Sequence, residues 1–508
     1  MLASIPTATV LGVDGRPVTV EVYVSPGLPT FTVVGLPDVS CREARDRVRA
    51  ALLSSGLPWP MQRITVNLAP SGVPKVGSGF DLAIAIGVLV ASDGLKASEI
   101  DGYGFIGELG LDGSLRAVPA VLSLVDALQC PAVVVCPSSV SQARLSDRRR
   151  VRSAANLAEL VAVLRGKTEW QDVAVPDRTE LGAPRAPDTV DMADLQGQPV
   201  PRLAAEVAAA GGHHLLLVGP PGAGKTMLAR RLVGLLPPLG LTDAQEVTRV
   251  HSAAGMPLPP CGYIDYPPLR APHHGASMVA MVGGGSGQLR PGEISLAHRG
   301  VLFLDELGEF PTSVLDALRQ PLEEGVVRVS RAGTSATLPA RFLLVAAGNP
   351  CPCGVGEQGP EPCRCSASAR QRYARRLSGP LLDRFDLRIS VARPAPLELV
   401  QADGAEPTAV VARRVAEART IAIRRQGCLN AELAAAGLRL HCRLDASTRQ
   451  LLSNAMAAGR LSARGLHRVQ RVARTVADLR GAIPIAPADV GLALQLRNSL
   501  KSSLAGVA

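Results

Sequence analysis

In the first 165 residues, four runs concentrate apolar side chains as strands do: Val18 to Val24, Phe31 to Val34, Ile64 to Asn67 and Ala132 to Cys136. Between them, Cys41 to Ser54 repeats apolar positions at helical spacing, so residues 1–165 predict one α/β domain. From Gly166 to Gln198 the periodicity stops, polar residues dominate and prolines enter at Pro176, Pro184 and Pro187, which is the composition of a linker over 166–198. Three runs then carry apolar residues without alternation, Leu215 to Val218, Val301 to Leu304 and Phe342 to Ala346. Unalternating strands belong in a parallel sheet covered on both faces, so 199–393 predicts a second α/β unit. Beyond Pro394 the chain is rich in Ala, Leu and Arg at helical spacing, which predicts a helical unit over 394–508.

Composition narrows the class. With 47% apolar and 19% charged residues in 508, the chain folds, and its length allows two to four cores at roughly 100–200 residues per domain. The longest apolar run, Leu82 to Ala91, is about half of the ~20 residues a membrane span needs, and the first residues lack the charged-then-apolar layout of a signal peptide. A cytoplasmic location with no membrane contact is therefore expected. Ten cysteines are too sparse for a disulfide scaffold, leaving thiols or metal ligands.

The formal charge is +10, and residues 406–508 alone hold 16 Lys+Arg against 6 Asp+Glu, which equals the whole excess. Aromatic residues are 3% of the chain, too few for extensive base stacking, so any nucleic acid would be gripped by arginine at its phosphates. Only five lysines occur, Lys75, Lys96, Lys167, Lys225 and Lys501. A lysine inside a chemical motif is therefore informative.

One lies in such a motif. The run Leu215 to Val218 leads into Gly219-Pro220-Pro221-Gly222-Ala223-Gly224-Lys225-Thr226 and then a helical stretch. Glycines let backbone N–H groups turn inward on phosphates at a helix N-terminus, Lys225 can reach the β- and γ-phosphates, and the Thr226 hydroxyl can ligate Mg²⁺. The run Val301 to Leu304 ends in Asp305 and Glu306: the first suits the Mg²⁺ shell, the second can polarise water, and a pair of acids opening a helix is the simpler alternative. The third run leads to Asn349, whose amide can orient the same water. Arg384, between Asp383 and Asp386, suits either a local ion pair or a transition-state contact in a neighbouring subunit.

These motifs resemble an AAA+ ATPase of the magnesium chelatase-like branch. The stretch Arg270-Ala-Pro-His273-His274, then Val282-Gly-Gly-Gly, then Arg290-Pro-Gly-Glu293 through Asp305-Glu306, resembles the signature of the ComM/YifB family over nearly the whole chain. The resemblance implies a P-loop core with a parallel sheet, a C-terminal helical lid, ATP and Mg²⁺. It makes Lys225 and Thr226 Walker A, Asp305 and Glu306 Walker B, Asn349 sensor 1 and Arg384 a trans-acting finger. Ser462-Ala-Arg464 matches the sensor 2 arginine, with Arg468 as the reserve, and Arg464, Arg468 and Arg471 form a cationic face opposite Val469, Val472, Ala473 and Val476. It further implies a homo-oligomeric ring, a hexamer, acting on single-stranded and branched DNA by branch migration during natural transformation. Gly325 to Leu338 reads as a β-hairpin around Arg-Ala-Gly, which makes Arg328 and Arg331 pore contacts or ordinary solvated arginines.

Two segments stand apart. Phe105 to Pro119 resembles the Lon protease-like, ribosomal-protein-like α/β fold, with Ser78 near the nucleophile's place and Leu122 where Lon has its lysine. A hydroxyl without a base is a poor nucleophile, so proteolysis is not expected and a role in ring assembly or DNA contact is. Directly after Asn349, Cys351-Pro-Cys353 and Cys363-Arg-Cys365 can complete a tetrahedral Zn²⁺ site or remain as reduced thiols. His273 and His274 suit substrate contact or core hydrogen bonding, with metal ligation as the alternative.

Overall fold

The computed structural model describes residues 1–146, 148–173, 190–285, 289–331, 334–355, 363–376, 379–394 and 405–498. The N-terminal part opens with a four-stranded sheet in the order Leu2–Leu11, Asp14–Ser25, Arg63–Ala69, Thr30–Val34. The first three strands pair antiparallel and the last pair is parallel. The opening strand escaped the sequence reading because Ser4, Pro6, Thr7 and Thr9 interrupt its apolar positions. A second, parallel sheet joins Tyr103–Phe105, Ala132–Val135 and Arg150–Ser153.

The longest apolar run becomes the helix Asp81–Ala91, in which every residue is buried. A helix apolar on all sides must be packed on all sides. Gly87 permits the closest approach, since a Cβ there would lie 2.5 Å from Val22 Cγ2. Asp81 opens the helix with its carboxylate held by Arg47 at 2.6 and 3.0 Å. Burial nevertheless raises the Asp81 pKa to about 6, against the pull of that guanidinium.

At the centre is a five-stranded, wholly parallel sheet in the order Leu269–Arg270, Val301–Leu304, Leu343–Gly348, Leu215–Val218, Leu387–Ser390. Successive side chains of its strands enter two different cores. Leu216, Leu302 and Leu344 pack with Val10, Val121 and Val125 of the N-terminal part, whereas Leu215, Leu217 and Val345 pack with Val415, Val469 and Val472 of the C-terminal helices. This is why the three runs show no polar alternation. The N-terminal seam is also hydrogen-bonded: Ser252, on helix Leu241–Ala253, accepts from Ala120 N at 2.8 Å and Gln142 Nε2 at 2.6 Å.

Residues 191–198, which composition assigns to the linker, are packed. Met192 and Leu195 are buried, Arg231 donates to Asp191 O at 2.6 Å and pairs with Asp194 at 2.7 Å, and Gln198 Nε2 donates to Ala223 O at 2.5 Å. Residues 174–189 of that stretch lie outside the described residues.

The C-terminal region is helical: Thr408–Gln426, Ala435–His441, Ala446–Ala457, Ala463–Leu479 and Pro487–Asn498. Arg464, Arg468 and Arg471 were expected to form a cationic face; Arg464 is exposed, but the structure corrects this for Arg468 and Arg471, which face inward. Arg468 donates to Asp386 Oδ1 at 2.6 Å and to Arg384 O at 2.9 Å, Arg471 to Leu433 O at 2.9 Å, Arg474 to Ile483 O at 2.5 Å, and Arg497 to Phe385 O at 2.8 Å. Guanidiniums with five fixed donors are satisfying carbonyls and buried acids here.

Asp386 is the anchor of this seam. It is 3% exposed, and His213 Nδ1 lies 3.5 Å from its second oxygen. Burial alone would raise its pKa, but His213 and the Arg468 charge hold it well below the carboxylate range. Next to it, burial lowers the pKa of His214 to about 4, so the neutral ring accepts from Leu344 N at 3.1 Å. Replacing Asp386 with Ala takes the carboxylate from the partly buried Arg468, which keeps only the Arg384 carbonyl, and should cost about 1.5–3 kcal/mol. The exposed Asp383→Ala control, which loses only the 3.3 Å pair with Arg388, should cost under ~1 kcal/mol; urea unfolding of the two variants checks the difference.

Candidate active site

Sheet order sets the chemistry. The strand Leu343–Gly348 lies hydrogen-bonded between Leu215–Val218 and Val301–Leu304. All three strands are parallel, so their carboxyl ends deliver the phosphate loop, Asn349 and the acids Asp305 and Glu306 to one edge. Gly222 and Gly224 in the loop adopt φ +77° and +83°, the left-handed region glycine enters without strain, and a Cβ at Gly222 would meet nothing within 4 Å. Gly224 N-caps the helix Lys225–Leu232. Next to Gly219, whose added Cβ would strike Val391 O, the backbone comes close to the edge strand.

Lys225 is buried and its ammonium donates to Gly219 O at 2.6 Å, Pro220 O at 2.9 Å and Asn349 Oδ1 at 3.2 Å. Burial lowers its pKa, while Asp305 and Glu306 oppose that shift. The Thr226 hydroxyl donates to Asp305 Oδ2 at 2.7 Å. Hydroxyl and carboxylate side by side at a helix N-terminus are the hard oxygen donors that Mg²⁺ takes, and the open glycine backbone leaves room for phosphates. The residues fit ATP and Mg²⁺. Lys225, Thr226, Asp305 and Asn349 are thus brought together.

Glu306 is exposed, sits at φ +52° and has its carboxylate 3.0 Å from His274 Nδ1. His274 stacks near His273, with ring centroids 4.0 Å apart, and meets Phe310 edge-on. His274 therefore contacts the acid beside the metal pair, a role the sequence did not disclose, since nothing in a His-His dipeptide says which carboxylate it will meet. Two other signature residues prove structural: Arg270 is bidentate to Glu293 at 2.6 Å each, and His298 accepts from Arg341 N at 3.0 Å.

Arg384 is not in this cluster. It precedes the strand Leu387–Ser390, so it lies at the amino edge of the sheet, one strand of about 13 Å from the phosphate loop of its own chain. Its side chain pairs with Glu323, which corrects the expectation of a pair with Asp383 or Asp386. Arg464 is exposed in the first turn of Ala463–Leu479, whose N-cap Ser462 accepts from Gly465 N at 3.1 Å. The expected hairpin forms from Val326–Arg331 and Thr334–Pro339, with Val327, Val329 and Leu338 buried. Exposed Arg328 pairs with Glu324 at 2.6 Å, while the turn at 332–333 and the Arg331 side chain lie outside the described residues. The four cysteine sulfurs converge within 4.8 Å of one another.

In the N-terminal part, the Ser78 hydroxyl donates to the Glu108 carboxylate and the Lys75 ammonium to Pro70 O. Leu122 is buried in helix Val121–Ala127. Ser78 is thus paired with an acid, and Leu122, at the lysine's place, supplies no base.

A phosphate loop, paired acids and a polar amide on an inserted strand, with a helical lid, define an AAA+-type P-loop ATPase. Comparison with known proteins supplies the family. Residues 191–399 match the profile "Magnesium chelatase, subunit ChlI", 20–138 "Subunit ChlI of Mg-chelatase" and 405–497 "Magnesium chelatase, subunit ChlI C-terminal". The chain is 43% identical to competence protein ComM of Haemophilus influenzae over 490 residues, covering 94% of each. It is 43% identical to YifB of Escherichia coli, covering 94% of this chain and 93% of that one. To the magnesium-chelatase 38 kDa subunit of Cereibacter sphaeroides it is 29% identical over 36% of this chain and 52% of that protein. The chain belongs to the ComM/YifB family of magnesium chelatase-like AAA+ proteins. No helix among the described residues is long and apolar enough to cross a membrane.

If Glu306 acts as the base, Glu306→Gln should keep ATP binding and lower turnover by about 10²-fold or more, read by phosphate release alongside binding of a fluorescent nucleotide.

Proposed function

We propose that this protein is an ATP-driven motor that works as a ring of identical subunits, a hexamer, on single-stranded and branched DNA, moving the branch points of recombination intermediates. The observation that carries the reading is the place of Arg384. A guanidinium at the amino edge of the sheet, one strand away from its own phosphate loop, is positioned to serve a neighbour's nucleotide. Hydrolysis at each site then requires a second subunit, and head-to-tail repetition closes a ring.

In this reading Lys225 exchanges its loop carbonyls for the β- and γ-phosphates, and Thr226 and Asp305 hold Mg²⁺. Bound there, Mg²⁺ neutralises charge on the transferred phosphoryl group. Asn349 orients the attacking water and Glu306 takes its proton. His274, at 3.0 Å, sets where that carboxylate points. Arg464 reaches the γ-phosphate from the lid, and Arg384 of the adjacent subunit steadies the transition state, a contribution of roughly 10³–10⁵ in rate where such fingers are known. Arg328 and Arg331 on the hairpin grip DNA phosphates without reading bases. The competence name of the Haemophilus influenzae relative supports a task in natural transformation, in the cytoplasm where DNA is recombined. The N-terminal part, sharing a core with the ATPase sheet, serves ring assembly or DNA contact. The three matched profiles favour one second reading, a chelatase-type motor acting on a protein partner.

Strand exchange on three- and four-stranded DNA junctions tests the reading. Wild type should resolve them with ATP, and Lys225→Ala should not. A turnover rate indifferent to DNA would favour the chelatase-type motor. Trans action has its own test: Arg384→Ala and Glu306→Gln proteins should each be inactive and should recover turnover on mixing, because mixed rings contain intact seams. Arg328→Ala should weaken binding to every sequence alike and reduce the slope of log affinity against log salt by about 1.

A further inference from the structure

Four sulfurs meet beside the nucleotide site. Cys351 Sγ lies 3.3 Å from Cys353 Sγ and 3.6 Å from Cys363 Sγ, and Cys353 Sγ is 3.7 Å from Cys363 Sγ. Cys365 completes the group, all within 4.8 Å, and its sulfur accepts Cys353 N–H at 3.4 Å. None of the four is in a disulfide. A tetrahedral ion with Zn–S bonds of about 2.3 Å places its sulfurs ~3.8 Å apart, which the three contacts approach. Among the described residues no carboxylate or imidazole joins the group, and four thiolates are a soft donor set that selects Zn²⁺ over the Mg²⁺ of the phosphate site.

The position of the cluster gives it a task. Cys351 is two residues past Asn349, and the turn that follows is closed by Gly354 N–H on Cys351 O at 2.9 Å. Gly354, at φ +82°, lies against the phosphate loop: a Cβ there would sit 2.8 Å from Pro221 Cδ and 4.0 Å from Asn349 Cγ. On the other side, Cys365 leads into the helix Ala367–Arg376, whose Tyr373 packs on Gly308, two residues past Glu306; a Cβ on Gly308 would lie 2.6 Å from that ring. One cluster therefore touches the sensor loop, the phosphate loop and, through one helix, the acid loop.

We propose that Cys351, Cys353, Cys363 and Cys365 bind one Zn²⁺ per chain, and that this ion is a positioning element which fixes Asn349 between Lys225 and the acids. The ion's presence follows from the sulfur geometry alone. Its effect on turnover rests on the ATPase reading above. Ions of this kind act by locking the loops that carry other residues.

The test uses the full chain, grown with added zinc and purified under reductant without chelators. Elemental analysis should give close to one zinc per chain, released by a mercurial into a zinc dye. Cys353→Ser/Cys363→Ser should lose the metal, while Cys365→His, which keeps a ligand, should retain it. The metal-free variant should turn over ATP about 10- to 100-fold more slowly, yet bind a non-hydrolysable ATP analogue within about threefold of wild type, which also establishes that it is folded. Cys365→His should restore most of the turnover. Zinc-free wild type whose four thiols react equally with and without added Zn²⁺ would overturn the site. A metal-free variant with wild-type turnover would overturn the positioning role. Zinc-loaded wild type that hydrolyses no ATP would also overturn the coupling, but by failure of the ATPase reading, and would leave the metal site standing.

Discussion

The insertion of Leu343–Gly348 between the phosphate-loop strand and the acid strand is the constraint on which the rest depends. Parallel hydrogen bonding fixes Val218 opposite Gly348 and Leu304 opposite Ala346, so the phosphate loop from Gly219, Asn349 and Asp305 leave the sheet within one or two residues of the same level. The side chains then need little loop to meet. The 3.2 Å contact of Lys225 with Asn349 and the 2.7 Å contact of Thr226 with Asp305 follow from register rather than from long-range folding of flexible segments. Because the strands are apolar on both faces, the register is held by two cores, one shared with the N-terminal part and one with the lid. The chemistry sits at an edge whose position neither core can change alone.

The opposite edge of the same sheet is governed by charge. Asp386 begins the turn into Leu387–Ser390 and is held by Arg468, while Arg497 takes the carbonyl of Phe385 and Arg468 that of Arg384. These lid arginines hold the very turn that presents the Arg384 side chain. Four of the arginines in residues 406–508, Arg468, Arg471, Arg474 and Arg497, are taken up in such internal contacts, while others such as Arg413, Arg439 and Arg449 are exposed. A net charge counts groups without saying whether they face solvent, so it overstated what the lid offers to a polyanion.

Much of the site was legible because its motifs are local. Strand, glycine loop, Lys225 and helix follow one another in sequence, and the pairs Asp305–Glu306 and Cys351–Cys353 are neighbours. The resemblance supplied Arg384, whose place at the far edge depends on strand order that no local pattern contains. Strands too short or too mixed to signal were missed: Leu269–Arg270 has two residues, and Leu387–Ser390 alternates because Arg388 and Ser390 are less buried than Leu387 and Ile389. His274 beside Glu306, and Asp386 beneath Arg468, are contacts between segments distant in sequence. Residue types announced that these groups could be polar partners; only the folded sheet says whose.

In the proposed motor the nucleotide edge acts on the surface that holds the substrate, and ion pairs join the two. Arg384 pairs with Glu323, and Glu324 with Arg328 at 2.6 Å; both acids end the helix Arg319–Glu324, and Gly325 alone separates that helix from the hairpin. In the proposed ring, a neighbour's nucleotide competes with Glu323 for the Arg384 guanidinium. Drawing Arg384 away removes an ionic tether from the base of the hairpin, while the lid arginines keep the backbone of its turn in place. The hairpin cannot answer by sliding, because Val327, Val329 and Leu338 are buried and Ala336 lies against Gly12 of the N-terminal part. Gly325, at φ +69°, caps the helix Arg319–Glu324 and is pinned by Pro321 O and Ala340 N at 2.8 Å each, in a left-handed backbone only glycine adopts at low cost.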